Sequence, residues 1–256
     1  NDAPAHLLYF YLISKIIENK LSTNQILNVS LLILFIIQNK IILICSLLFI
    51  LLFIKREQFF ELFKKKKFYF ISIFFLLWIM KNIAISGCAI FPVTSTCYDG
   101  FSWSNKSLSK SVSIENEAWS KGWPDYRNKF VNTNLIKKYD LEDYSNDLNW
   151  ITTWLNNHFL KISKIVLIYI FIIFLFSLFL FKKKNGFYID SLKKKRHIKI
   201  IIFFVFVSTV LWFFKLPTFR YGYSYLISFI SLSFAYILTE MFSIRENFKK
   251  KYVFIL

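Results

Sequence analysis

The sequence predicts an all-α protein, a polytopic bundle of transmembrane helices with one long outer loop. Three observations lead there. The 256 residues are 56% hydrophobic and 21% aromatic, with a mean hydropathy of +0.47, more apolar than soluble domains are. The apolar residues lie in long runs separated by lysine-rich blocks, the pattern of a chain that crosses a bilayer several times. The formal charge of +18 comes from those short blocks, which suits anionic lipid and requires no nucleic acid.

The elements follow in order. NDAPAHLLYFYLISKIIENK (Asn1 to Lys20) has apolar residues at helical spacing from Leu7 to Ile17. Pro4 fits a first turn, and Asp2 is favourable near a helix N-terminus. An interfacial amphipathic helix or a short buried one would fit. Leu21 to Ser30 is a polar connection. Leu31 to Ile54 is apolar apart from Gln38, Asn39, Lys40 and Ser46. One helix with a polar interruption is the preferred reading; two short helices meeting at Gln38 are the alternative. Further spans are expected at Phe68 to Ile85, Ile162 to Phe181, Ile200 to Phe214 and Tyr221 to Ser243.

Charge sets the orientation. Lys55 to Lys67 carries six Lys/Arg and two acids, Lys182 to Lys199 eight and one, and Arg245 to Lys251 four and one. These segments are expected in the cytoplasm. Ser86 to Phe159 has seven Lys/Arg against eight acids and is expected outside, with Lys215 to Arg220. A single helix over Leu31 to Ile54 puts Asp2 outside as well; two helices put it inside. The expected organisation is thus an outer amphipathic helix and connection (1–30), transmembrane helices (31–85), an outer loop (86–161) and further transmembrane helices (162–256). The chain opens on Asn1 and stops at YVFIL, which reads as the start of another span, so a piece of a longer protein is expected.

The outer loop carries two features. Cys88 and Cys97 are close in sequence, on the side expected to be oxidising, so they pair as a disulfide or stay free thiols. Cys45 lies within a span and reads as a small apolar residue. Further on, Trp119 and Trp123 stand beside Asp125 and other charges. Such a mixture suits a sugar, with rings on its faces and acids on its hydroxyls. Anchoring at the membrane interface, where such rings are enriched anyway, is the reading that composition favours. Tyr139 to Leu160 is expected as an amphipathic helix on the membrane. No metal motif, P-loop, nucleophile elbow or dinucleotide fingerprint occurs, so no metal and no cofactor is expected.

In LWFFKLPTFRYGYSYL (Leu211 to Leu226), Pro217 breaks the preceding helix and Gly222 permits a turn. Arg220 is therefore expected on a bend at the outer face. Its guanidinium offers fixed donors to a phosphate or carboxylate, and an ionisable group at membrane depth marks a functional site. A snorkelling arginine among lipid headgroups is the plainer alternative. Tyr221, Tyr223 and Tyr225 would form an aromatic belt in either case.

KNIAISGCAIFPVTSTCYDGFSWS (Lys81 to Ser104), the following EAWSKGWPDY, and LPTFRYGYSY resemble a family of uncharacterised bacterial polytopic membrane proteins. The general build looks like that of the GT-C glycosyltransferases and related cell-envelope polysaccharide proteins. The resemblance implies a multi-pass protein of the bacterial inner membrane, with residues 86–161 periplasmic. It implies a polyprenyl-phosphate-linked sugar as donor and membrane lipid as partner, with no known protein partner. Asp2 resembles the acid such enzymes keep in the first outer loop, where it would activate an acceptor hydroxyl. Arg220, with Tyr221 and Tyr223, would hold the donor phosphate. A transporter or flippase of a lipid-linked or anionic solute, and a non-catalytic membrane scaffold, are the competing functions.

Overall fold

A computed structural model describes residues 2–17, 22–52, 56–123, 140–182 and 192–253, and among them every regular element is helical. Among the described residues, four helices are long and apolar enough to cross a membrane. Helix α1 is Ala3–Ile17 and α2 is Thr23–Asn39. A 3₁₀ helix covers Ile41–Leu52. Then come α3 (Arg56–Phe63) and α4 (Lys66–Ser86). The segment expected as a loop folds into α5 (Lys106–Ser120), α6 (Leu141–Asn146) and α7 (Trp150–Trp154). A π-helical turn at Leu155–Phe159 leads into α8 (Leu160–Lys182). Two long helices follow, α9 (Leu192–Lys215) and α10 (Phe219–Val253).

Helix α1 is a buried helix rather than an interfacial one. Tyr9, Leu12 and Ile16 recur at helical spacing and are fully buried. Ser22 caps α2 and forms a reciprocal capping box with Gln25. The single span expected over Leu31 to Ile54 is two helices that meet at Lys40, whose backbone is extended at φ −148° and ψ 96°. The helical pattern is also interrupted at Leu43. The 3₁₀ form has a length consequence. At a rise of about 2.0 Å per residue its short run reaches roughly 24 Å, close to the length of α2 at 1.5 Å per residue.

The sequence tied Asp2 to one side or the other by counting helices. The structure has the two-helix arrangement, yet Asp2 lies against Arg220. The reason is that α1 adds a third short helix to the count, running from the Lys40–Arg220 end of the bundle to the Ile16–His197 end. Its start lies by Lys40 and Arg220, and its last turn lies by α9, where the Ile16 carbonyl accepts from His197 Nε2 at 2.9 Å. At that same far end Thr23 donates to Glu61 and Lys67 to Asn28.

Among the described residues, two hydrophobic clusters hold the fold together. The first joins α1, α2, the 3₁₀ helix, α9 and α10 around Tyr9, Phe49, Ile201, Trp212 and Tyr225. The second packs Ala118, Tyr144, Trp150 and Trp154 against Phe213, Phe219 and Leu226 at the Arg220 end of α9 and α10. Tyr144 to Trp154 therefore belongs to a packed cap, and the helix expected along the membrane is broken at 147–149. By contrast, α4 has no buried residue, as expected of an apolar helix at the edge of a membrane bundle.

Candidate functional site: a carboxylate held by two cations

Three charged side chains from three parts of the chain meet at one end of the bundle. Asp2 precedes α1, Lys40 occupies the break between α2 and the 3₁₀ helix, and Arg220 lies in the first turn of α10. Asp2 Oδ2 accepts from Arg220 Nε at 2.5 Å and from Lys40 Nζ at 2.6 Å. Lys40 is nearly buried, whereas the Arg220 side chain is 65% exposed. The guanidinium therefore keeps donors facing outward while one is engaged. The Lys40 ammonium also sits 4.4 Å from the centre of the Tyr221 ring, a cation–π contact.

His6 fixes the geometry from one turn deeper. Its Nε2 is 3.1 Å from the Arg220 carbonyl and its Nδ1 is 2.8 Å from Ser224 Oγ. A carbonyl only accepts, so Nε2 carries the proton, and a neutral ring then accepts from the serine through Nδ1. The Tyr223 ring lies 4.0 Å from the imidazole. Partial burial would raise the Asp2 pKa, but the hydrogen bonds and charges of Lys40 and Arg220 outweigh it and bring it from 3.8 to about 2. Asp2 in this state is a weak base.

The bend before Arg220 is held rigidly. Leu216 N–H bonds the Trp212 carbonyl at 2.8 Å, Trp154 Nε1 donates to the Pro217 carbonyl at 2.8 Å, and Thr218 Oγ1 donates to the Ser120 carbonyl at 3.2 Å. Pro217 ends the helix as expected. Gly222, expected at a turn, lies inside α10, and its role is packing: an added Cβ would stand 2.2 Å from the Trp212 ring. Tyr225 leaves the expected belt, being fully buried with its hydroxyl on the Ile42 carbonyl at 3.0 Å.

The other expected residues lie apart. Cys88 and Cys97 form a disulfide. Trp123 packs edge-on to Tyr144 in the second core and Trp119 is exposed, so the two rings form no common platform. Asp125 lies outside the described residues. Lys40, His6 and Ser224 were missed. Lys40 had a signal, as a lone cation inside an apolar run. His6 had only its place four residues after Asp2.

Apolar helices of crossing length with a charged cluster at one end define a polytopic membrane protein with a polar site. The chain belongs to the family described as a domain of unknown function, DUF8201, which it matches over residues 1–227. That span contains Asp2, His6, Lys40, Arg220 and Ser224. No curated protein and no solved structure matches the chain.

Proposed function

We propose that the protein is a GT-C-like glycosyltransferase or polysaccharide-assembly protein of the bacterial inner membrane, acting on a polyprenyl-phosphate-linked sugar at a periplasmic face. The observation that carries the proposal is the pairing of Arg220 and Lys40 around a single carboxylate. With two cations and one anion the cluster has a net charge of +1, which a phosphodiester neutralises. The donor phosphate draws the guanidinium and ammonium away from Asp2. The released carboxylate takes the proton of an acceptor hydroxyl, whose oxygen bonds to the anomeric carbon. The bond from that carbon to the phosphate oxygen breaks, and the lipid phosphate leaves with its added negative charge held by Arg220 and Lys40.

The test is binding of polyprenyl phosphate to the full chain in nanodiscs. Saturable binding that falls about 10-fold or more in Arg220→Ala and in Lys40→Ala is expected, as charge-assisted hydrogen bonds are lost. Equal binding by all three proteins would remove the phosphate role. A second reading, as a flippase or transporter of such a lipid, draws on the helix interrupted at Lys40 and Leu43. It predicts movement of lipid across the bilayer with no new glycosidic bond.

A further inference from the structure

The disulfide-closed turn between Cys88 and Cys97 is followed by three exposed rings. Tyr98, Phe101 and Trp103 are 51%, 37% and 53% exposed. We propose that this aromatic face is a membrane anchor whose partner is lipid, resting at the boundary between headgroups and acyl chains. The anchor is independent of the Asp2 cluster and of any reaction there.

Depth is the first reason. Trp103 Nε1 donates to the Ile83 carbonyl at 3.2 Å, within the last turn of α4. The 21 residues of that helix run about 31 Å at 1.5 Å per residue, enough to reach from one membrane boundary to the other, with Lys81 near the Trp103 end. Lysines 64 to 67 mark its other boundary. None of its residues is fully buried, and Leu76, Leu77, Met80 and Ile85 are exposed, so the outward side of its last turns is an apolar surface for lipid to cover. An indole with its N–H satisfied and its rings open suits the interface, where tryptophan and tyrosine concentrate.

The arrangement of the rings is the second. Phe101 and Trp103 stack on one another at 4.8 Å and 12°, with Tyr98 edge-on to Phe101 at 6.0 Å. The rings therefore form one continuous apolar face, with the outer face of Trp103 and the edge of Tyr98 open to acyl chains. The third reason is the polar border. Asp99 and Lys106 pair at 3.2 Å, both well exposed, so charge lies beside the rings, as an interfacial element requires.

The test is depth measurement by spin labelling of Phe101→Cys in a Cys45→Ala background, with the full chain in nanodiscs. Oxygen and a water-soluble nickel chelate are the two relaxing agents, and a label at Asp99→Cys reports water exposure. The expected result is several-fold lower nickel access at position 101 than at 99, with oxygen access raised. Tyr98→Cys gives the same readout should the Phe101 variant fold poorly. Equal nickel access at the labelled ring position and at 99 would overturn the anchor. So would full nickel access that drops only when a soluble oligosaccharide is added, which would make the rings a sugar platform.

Discussion

Asp2 is defined by its two partners. Its pKa lies at about 2 against an ordinary 3.8. A carboxylate lowered on folding contributes stability that is complete above its unfolded pKa and lost as pH falls through the folded one. The stability gap between wild type and Asp2→Asn should therefore be full at pH 5 and narrow steadily toward pH 2, read by thermal unfolding in detergent. A gap unchanged with pH would mean the pairing is absent. Gly222 offers a second residue-scale test. With the Trp212 ring 2.2 Å from an added Cβ, Gly222→Ala should cost about 1–3 kcal/mol through overpacking. Chemical denaturation checks it, and a neutral result would mean that α9 and α10 pack less closely.

Among the elements, the second core is pinned to the bundle by a charged bridge. Lys121 is buried, with its ammonium on Glu117 Oε1 at 2.6 Å and the Ser145 carbonyl at 2.7 Å, above the Trp150 ring. The other Glu117 oxygen meets Lys215 at 3.2 Å, at the end of α9. Glu117→Ala leaves a buried cation without its counter-charge and should cost about 3–5 kcal/mol. Lys121→Met removes the charge while keeping an apolar stem, and should cost less. The reverse order, measured on the same unfolding curves, would contradict the bridge. Several elements were legible in the sequence because a long apolar run bounded by lysines leaves few alternatives: α4, α8, α9 and α10 lie where such runs lie. The break at Lys40 was less legible. Gln38, Asn39 and Lys40 permit both a continuous helix and a hairpin, and packing of α1 against α2 and of α9 and α10 against the 3₁₀ helix selects the hairpin. The folded cap was hidden for a related reason. Trp150 and Trp154 are four residues apart, as on one face of a surface helix, and their burial depends on Phe213, distant in sequence.

Across the whole fold, the charged cluster brings together residues from the two ends of the matched span. Arg220 could be singled out from its neighbours Pro217 and Gly222, and Asp2 from its resemblance to a catalytic acid. Their meeting could not be read, because it depends on whether α1 crosses the bundle. The most direct measurement is therefore on Asp2→Cys and Arg220→Cys together, in a Cys45→Ala background and in native membrane vesicles. An impermeant maleimide should label both positions from the same side, and a short bis-maleimide should join them. Labelling from opposite sides, with no cross-link, would contradict the site and every step built on it.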